Sequence, residues 1–117
     1  MNKPYYQDKW VTIYHGDCRD ILPSLPKVDL VFADPPFNVG KKYGVNGDRR
    51  DDYYDWCREW IEMCFDTLQD TGSIYLMLIP RHLQEIYPIM ASKGVFINEL
   101  HWRNVSASYN KRGFWNT

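Results

Sequence analysis

The sequence predicts an α/β fold in which short strands alternate with helices. Apolar, β-branched runs mark the strands, and apolar residues at helical spacing mark the helices. Proline, glycine and aspartate separate these segments. The predicted order is strand, short helix, strand, loop, long helix, strand, helix, strand, which is typical of a parallel sheet covered by helices.

The first part of the chain is predicted to contain two strands and a short helix. Residues 11–14 form the first strand, because their β-branched and aromatic side chains favour extended backbone. Asp17 caps the short helix, which Pro23 and Pro26 end. Residues 28–33 form the second strand, and its nearly continuous apolar sequence is expected when both faces are covered.

A charged segment, a long helix and a third strand follow. Residues 38–50 are predicted to be a mobile loop because they are rich in Gly, Lys and Asn. The helix presents one apolar face, formed by Trp56, Trp60, Ile61, Cys64, Phe65 and Leu68. Asp51 or Asp52 is expected to cap its start, and Gly72 to follow its end in a left-handed conformation. Residues 73–79 form the third strand.

The last part is predicted to be a helix, a strand and a polar tail. Pro80 suits the first helical position, Pro88 should kink the helix, and Gly94 should end it. The residues expected to face inward are Leu83, Ile86, Tyr87 and Met90. Residues 95–102 form the fourth strand, and residues 103–117 form the tail.

Composition limits the class of protein. The 117 residues fit one domain or a piece of one, and 44% hydrophobic with 16% aromatic residues excludes general disorder. With 14 basic and 15 acidic residues, the net charge of −1 excludes a protein that binds nucleic acid through overall positive charge. A local basic rim remains compatible with a DNA enzyme.

Cysteine usage and hydropathy predict a cytoplasmic protein. Three cysteines without framework spacing indicate reduced thiols, and the first ten residues lack the apolar core of a signal peptide. The longest apolar run, residues 74–79, is too short to cross a bilayer. The histidines and cysteines do not form the paired spacings of a metal site, so no metal is expected.

Residues 34–37, which we name the diproline corner, carry the clearest chemical signal. Pro35 and Pro36 fix two φ angles, so the backbone is rigid before a ligand arrives. The Pro35 carbonyl and the Asp34 carboxylate are two acceptors beside the aromatic ring of Phe37. This combination suits the exocyclic NH2 group of a planar base.

Such an amine is a poor nucleophile because its lone pair is delocalised into the ring. Acceptors for both N–H groups favour a pyramidal nitrogen and stabilise the positive charge that develops as it attacks a methyl group. A paired base cannot reach the corner, so this chemistry requires the base to be flipped out and stacked on an aromatic ring.

Four segments resemble the N6-adenine and N4-cytosine DNA methyltransferases. They are residues 15–18 (His-Gly-Asp-Cys), residues 28–43 around the corner, residues 54–56 and residues 72–76. The sequence is most similar to the group in which the catalytic tetrapeptide precedes the glycine-rich cofactor motif. The resemblance implies a partial Rossmann-like sheet of an S-adenosylmethionine-dependent methyltransferase, with flanking helices.

The resemblance also implies roles for individual residues. The catalytic residues would be Asp34, Pro35, Pro36 and Phe37, with Asp34 and Pro35 binding the amine and Phe37 stacking on the base. Asp17 and Cys18 would lie beside S-adenosylmethionine, and Asn38, Lys41 and Lys42 are the candidate substrate-binding residues. The expected partners are double-stranded DNA and a restriction endonuclease. An aspartate at position 34 favours adenine N6 over cytosine N4.

The glycine-rich cofactor motif is the main departure from the family pattern. Gly40, Gly44 and Gly47 do not supply it, since they lie in a charged segment without a preceding strand. In this group, the motif and the target-recognition segment would follow Thr117. Residues 1–117 are therefore expected to be the N-terminal catalytic part of a methylase domain, poorly stable and inactive alone. The strands that the family places between residues 11–14 and 28–33 would be missing, which exposes strand edges.

Simpler interpretations compete with each assignment. The diproline corner also suits a strand-ending turn, and Asp17 suits a helix cap. Cys18 suits a small buried position, while acidic neighbours make a solvated loop the favoured account of Lys41 and Lys42. Tyr53, with the aromatic residues after it, is expected mainly in the core. The alternative functions are methylation of an RNA base or a protein side chain, and a non-catalytic nucleic-acid-binding remnant.

Overall fold

The computed structural model describes residues 2–44 and 46–102. Its first element is an antiparallel hairpin of β1 (Tyr6–Gln7) and β2 (Thr12–Ile13). The Asp8 carboxylate shapes the turn by accepting hydrogen bonds from the backbone N–H groups of Trp10 and Val11, both at 2.7 Å. The predicted strand over residues 11–14 is thus shorter than expected, and it pairs with the preceding segment instead of joining a parallel sheet.

A short helix follows the hairpin as predicted. Asp17 is the N-cap of α1 (Cys18–Ile21), and its carboxylate accepts a hydrogen bond from the Arg19 backbone N–H at 2.9 Å. A 3-10 turn over Leu22–Ser24 continues the chain, with a proline among its first residues. The proline lacks an N–H donor, which limits further helix growth.

The central strand β3 (Val28–Ala33) pairs in parallel with a later strand, β6 (Leu68–Leu76). Their inward residues pack against the helices, whereas Leu30 and Phe32 on the opposite face are 55% and 65% exposed. The expectation that both faces of this strand are covered is therefore wrong for the described residues. Alternation of side chains along a strand explains why every second residue is bare.

The segment predicted as a loop contains ordered backbone pairing. A second antiparallel hairpin joins β4 (Lys42–Tyr43) to β5 (Asn46–Gly47). Its base is closed by a hydrogen bond from the Asp48 backbone N–H to the Lys41 carbonyl at 2.9 Å. The segment predicted to be a loop over residues 38–50 thus contains a short hairpin, whereas its mobility stays a prediction.

The core is built on α2 (Tyr53–Thr67) and the helix that follows it in the chain. The predicted apolar face is confirmed, because Trp60, Ile61, Cys64 and Leu68 are buried while Trp56 and Phe65 pack against them. Asp52 occupies the N-cap position but makes no capping hydrogen bond, because its carboxylate binds the Arg50 side chain at 2.7 Å.

The end of α2 differs from the prediction. Strand β6 starts directly at Leu68, so Gly72 lies inside a strand and its φ is not positive. A Cβ at position 72 would lie 2.9 Å from a Leu68 methyl group and 3.2 Å from the Asp29 carbonyl oxygen. Gly72 is therefore required by the close approach of β3 and β6, and the prediction that it follows the end of a helix is wrong.

The last helix, α3 (Leu83–Ala91), follows a 3-10 turn over Pro80–His82. Ile86 is buried as predicted and Met90 packs against the core, but Leu83 and Tyr87 face solvent and the buried Ile89 was missed. The predicted positions follow an ordinary helical stripe, but the face that reaches the core is rotated toward Ile89, which leaves Leu83 and Tyr87 at its outer edge.

Residues 95–102 do not form the predicted fourth strand, and their large apolar side chains are exposed. The predicted tail over residues 103–117 lies outside the described residues. The chain is mixed α/β with a small parallel sheet, which is compatible with the predicted class; a Rossmann-like strand order stays a prediction. No helix among the described residues is long and apolar enough to span a membrane.

Candidate active site

The diproline corner lies at the carboxyl end of β3. The final hydrogen bond of the ladder runs from the Met77 backbone N–H to the Ala33 carbonyl at 2.9 Å. Pro35 and Pro36 have no N–H groups to continue the ladder, so the chain leaves the sheet here. The corner therefore stands at the edge where parallel sheets bind their ligands.

Side chains pin three successive backbone carbonyls of the corner and the residue after it. The contacts are Tyr53 Oη to Pro36 O at 2.6 Å, His82 Nε2 to Phe37 O at 2.6 Å, and Arg81 Nη2 to Asn38 O at 2.8 Å. The donors come from the start of α2 and from the 3-10 turn before α3. Two separate segments of the core thus fix the path of the backbone.

The two acceptors predicted to bind an amine are left open by this arrangement. Within residues 2–44 and 46–102, no group donates a hydrogen bond to the Asp34 carboxylate or to the Pro35 carbonyl. Asp34 is exposed, and Phe37 is half-buried. The corner therefore offers two free oxygen acceptors and part of an aromatic ring on a fixed backbone.

The clamp behind the corner is a buried aromatic cluster. Tyr53 and His82 are each 2% exposed, and their ring centroids lie 4.8 Å apart. Tyr54 Oη lies 2.8 Å from His82 Nδ1. Burial raises the pKa of the Tyr53 hydroxyl far above its usual range, so this group stays protonated and donates to the Pro36 carbonyl.

The backbone after the corner turns sharply around two anchors. Asn38 has a φ of 55°, and its side-chain oxygen accepts a hydrogen bond from the Arg50 backbone N–H at 2.7 Å. The Asp48 carboxylate accepts hydrogen bonds from the N–H groups of Val39 at 3.1 Å and Gly40 at 2.7 Å. The side-chain oxygen of Asn38, a predicted substrate-binding residue, thus holds the loop.

Asp48, like His82, supports the site but was not identified from the sequence. It is 7% exposed, and burial by itself would raise the pKa of its carboxyl group. Hydrogen bonds from the N–H groups of Val39, Gly40 and Lys41 outweigh this effect, so the pKa stays below its ordinary value. The ionised carboxylate therefore replaces solvent as the partner of these loop amides.

Lys41 and Lys42, the other predicted substrate-binding residues, are exposed in the hairpin next to the corner. Lys41 Nζ lies 5.5 Å from the centre of the Tyr43 ring. Neither lysine forms an ion pair within the described part of the chain, whereas Arg50 is paired with Asp52. The two ammonium groups are free to meet an anionic partner.

Asp17 and Cys18 lie in a second region, residues 15–18, which we name the Asp17 turn. Because β2 belongs to an antiparallel hairpin, this turn does not follow a strand of the parallel sheet. The Arg19 side chain binds the Asp17 carboxylate at 2.8 Å and lowers its pKa to about 2. Burial, reinforced by the charge of Asp17, raises the pKa of the Cys18 thiol.

A shallow cavity of about 120 Å³ lies beside the Asp17 turn. Its lining residues are Asn2, Lys3, Tyr14, His15, Gly16, Asp17, Asp20 and Ile21, so Asp17 borders the cavity and Cys18 does not. Sites that enclose drug-sized ligands are usually about 300–1,000 Å³. This cavity can hold one end of such a ligand. In the described residues, no three His, Cys, Asp or Glu side chains converge as metal ligands.

Helix α2 connects the two regions. Tyr53 at its start holds the diproline corner, and Glu59 binds Arg19 at 2.7 Å, which in turn binds Asp17. Six positions separate Tyr53 from Glu59, which is roughly 9 Å along a helix axis. One rigid element thus sets the spacing between the two candidate half-sites.

The family profile and the individual relatives that match this chain are all described as DNA methylases or methyltransferases. A sequence profile described as DNA methylase matches residues 28–117. The type II methyltransferase M.BamHI of Bacillus amyloliquefaciens is 38% identical over 84 residues, which cover 68% of this chain and 20% of that protein.

Two further relatives extend the match. The DNA adenine methyltransferase YhdJ of Escherichia coli (strain K12) is 41% identical over 70 residues, covering 56% of this chain and 24% of that protein. The type II methyltransferase M.HinfI of Haemophilus influenzae is 31% identical over 132 residues, covering 97% and 37%. The chain spans between 20% and 37% of the length of these three relatives.

Proposed function

The chain belongs to the N6/N4 DNA methylase family, and from this premise we propose that it is the catalytic part of a site-specific DNA methyltransferase. The reaction is transfer of a methyl group to the exocyclic amine of a flipped base, with adenine N6 as the target. One observation carries the proposal: the Asp34 carboxylate and the Pro35 carbonyl are open, while the next three carbonyls are pinned.

The diproline corner activates the amine through its two acceptors. One N–H of the amine donates to the Asp34 carboxylate and the other to the Pro35 carbonyl. The nitrogen then becomes pyramidal, and its lone pair leaves the ring system. The negative carboxylate also stabilises the positive charge that develops on nitrogen during attack. Because Tyr53 already fixes the neighbouring Pro36 carbonyl, little reorganisation is needed.

The flipped base stacks on the Phe37 ring, which is half-buried and so already held in place. Pro36 contributes rigidity. It lies between the open Pro35 carbonyl and the Phe37 carbonyl that His82 binds, and its ring fixes the φ angle between them. A base that remains paired in a duplex cannot reach this corner, so binding must include base flipping.

The residues around the Asp17 turn fit one end of S-adenosylmethionine. The cavity there is polar, bordered by Asp17, and smaller than the whole molecule requires. When bound, S-adenosylmethionine would supply the methyl group from its positive sulfur: the methyl–sulfur bond would break as the methyl–nitrogen bond forms, the neutral thioether would leave, and the methylated amine would lose a proton to water. Asp17 would contact the end of S-adenosylmethionine that enters the cavity. Cys18 would contribute only its backbone at the start of α1, because it does not line the cavity.

Double-stranded DNA is the proposed substrate, and Lys41 and Lys42 are the proposed phosphate contacts. Both lysines are exposed without an acidic partner among the described residues, and each phosphate contact releases a bound counterion. A restriction endonuclease of the same specificity is a proposed biological partner, because several relatives are type II methyltransferases.

Adenine is favoured over cytosine by the carboxylate at position 34, and one relative is named a DNA adenine methyltransferase. Cytosine N4 is the second candidate, since the same two acceptors can bind its amine. We also propose that residues 1–117 do not methylate DNA alone. The cavity at the Asp17 turn is too small to enclose the cofactor, and no residue among 2–44 and 46–102 covers the second face of the parallel sheet.

The proposal is tested with Asp34→Asn in the full-length protein. This substitution keeps the size of the side chain but removes its charge and turns part of it into a donor. Loss of one preorganised contact to developing charge costs about 10²–10³-fold in kcat. We expect a loss of this size, with DNA affinity changed by no more than about threefold.

Asp29→Asn is the matched control, because Asp29 is an exposed carboxylate on β3, the strand that leads into the corner. Transfer of labelled methyl groups to DNA measures the rate, and nuclease digestion of the product identifies the modified base. N6-methyladenine supports the adenine assignment and N4-methylcytosine the second candidate. Full activity of Asp34→Asn would refute the catalytic assignment.

A further inference from the structure

We infer that His82 is a positioning residue for methyl transfer, acting through the Phe37 carbonyl, and that Tyr54 fixes its tautomer. The inference rests on the proposed function, since it assigns a task within the same site. Neither residue belongs to the diproline corner: the His82–Phe37 contact joins residues 45 positions apart, and the Tyr54–His82 contact joins residues 28 positions apart.

The partners of the ring decide where its proton lies. The Phe37 carbonyl can only accept, so the contact of 2.6 Å requires a hydrogen on His82 Nε2. In the neutral ring, Nδ1 then carries a lone pair. The Tyr54 hydroxyl, 2.8 Å away, donates to it. The two contacts together select the Nε2–H tautomer.

Burial makes the orientation of the ring unique. His82 is 2% exposed, and a buried polar atom without a partner is costly, so both ring nitrogens must keep their hydrogen bonds. Flipping the ring would place carbon atoms opposite the Phe37 carbonyl and the Tyr54 hydroxyl. The Tyr53 ring, with its centroid 4.8 Å from that of His82, blocks lateral movement.

The consequence for catalysis follows from the position of the pinned carbonyl. His82 fixes the peptide plane after Phe37, and Tyr53 fixes the plane before it by binding the Pro36 carbonyl. With both planes fixed, the Phe37 ring and the open Pro35 carbonyl keep their relative placement. Loss of the His82 donor frees one plane, and small displacements of a reacting group are expensive in rate.

The test compares His82→Leu with His82→Gln in the full-length protein. Leu removes the donor, whereas the Gln amide retains an N–H at a similar reach. Thr67→Val is the matched control, because Thr67 is also buried and its hydroxyl donates to the Met63 carbonyl at 2.8 Å, at the far end of α2. The readouts are kcat, KM for DNA and the unfolding temperature.

A positioning role predicts that His82→Leu lowers kcat about 10- to 100-fold, the equivalent of one lost buried hydrogen bond, with KM within about threefold. His82→Gln should recover most of that loss, and Thr67→Val should keep the wild-type kcat even if its unfolding temperature falls. Equal kcat values for His82→Leu and the wild type would overturn the inference. So would equal losses in the Leu and Gln variants, because a purely packing role cannot distinguish donors.

Two further measurements test the inference even if the His82→Leu variant does not fold. ¹⁵N NMR of the wild-type imidazole should show a hydrogen on Nε2, and an Nε2 that carries no hydrogen would overturn the inference. Tyr54→Phe removes the hydroxyl that binds His82 Nδ1, so the imidazole is no longer restricted to one tautomer. This variant should lower kcat about threefold or more, and an unchanged kcat would overturn the role assigned to Tyr54. Absence of methylation by the wild-type protein refutes the proposed function itself, an outcome distinct from activity that is insensitive to position 82.

Discussion

The diproline corner and the Asp17 turn each follow a strand and contain an aspartate, but the two regions are held in place by different contacts. The backbone of the corner is held by buried side-chain donors from distant parts of the chain, Tyr53 and His82. The carboxylate of Asp17 is held by the neighbouring Arg19, in a partly exposed ion pair that water screens.

Because of this difference, the diproline corner is a preorganised candidate half-site, whereas the Asp17 turn is an incomplete one. In the corner, the structural hydrogen bonds use backbone carbonyls and leave the Asp34 carboxylate free for a ligand. In the Asp17 turn, the structural contacts use the carboxylate itself, so a ligand must share it with Arg19 or displace that side chain. The described residues therefore hold the proposed base-binding side in place, whereas the proposed cofactor side needs more contacts.

The largest expected effect is on the core below the corner. Ile61 is fully buried in α2, and Ile61→Ala should lower the free energy of unfolding by about 2–5 kcal/mol. Ile13→Ala in the exposed N-terminal hairpin should change it by about 0.5 kcal/mol or less. Urea unfolding followed by circular dichroism measures both. Equal losses would show that the two regions rest on one core.

A smaller effect is expected when one pin of the corner is removed. Tyr53→Phe leaves the Pro36 carbonyl without its donor, which should destabilise the protein by about 1–3 kcal/mol and lower methylation. Tyr75→Phe is the control, since Tyr75 lies on the bare face of β6 and donates no hydrogen bond to a described residue. An unchanged unfolding free energy in Tyr53→Phe would contradict the pinned carbonyl.

The smallest effect is expected at Asp17. The pKa of its carboxyl group is lowered from 3.8 to about 2, first by the hydrogen bond from the Arg19 side chain. A depressed folded-state pKa means that the carboxylate stabilises the protein above pH 3.8 and that this contribution is lost as pH falls through about 2. Solvent exposure keeps the contribution small.

Asp17→Asn should therefore differ from the wild type in urea midpoint at pH 5, with the difference shrinking between pH 4 and pH 2. Asp20→Asn, in the same short helix and without an ion pair in the described residues, is the control. A difference between Asp17→Asn and the wild type that stays constant over this pH range would mean that Arg19 does not hold the carboxylate.

Features that depend on local sequence were predicted well. The buried face of α2 follows from side-chain spacing alone, and the Asp17 cap reaches only two residues along the chain. The Asp52 cap failed through a competing local contact, because Arg50 lies equally close and binds the carboxylate. Local patterns thus establish which elements exist.

Features that depend on distant contacts could not be predicted. The open face of β3 is decided by which elements pack on the sheet, not by strand propensity. His82 has no distinctive neighbours in sequence, and its task appears only when the chain brings it to Phe37, 45 positions away. The chemistry assigned to the four residues of the corner stays a prediction, whereas the residues that support its backbone lie far away in sequence and could not be predicted.

The most direct test of the central claim is a crystal structure of the full-length protein with DNA containing its target site and an inert cofactor analogue. We predict a flipped adenine whose amine lies within hydrogen-bond distance of the Asp34 carboxylate and the Pro35 carbonyl, with its ring against Phe37. A flipped base bound elsewhere, with both of those oxygens facing only solvent, would contradict the account.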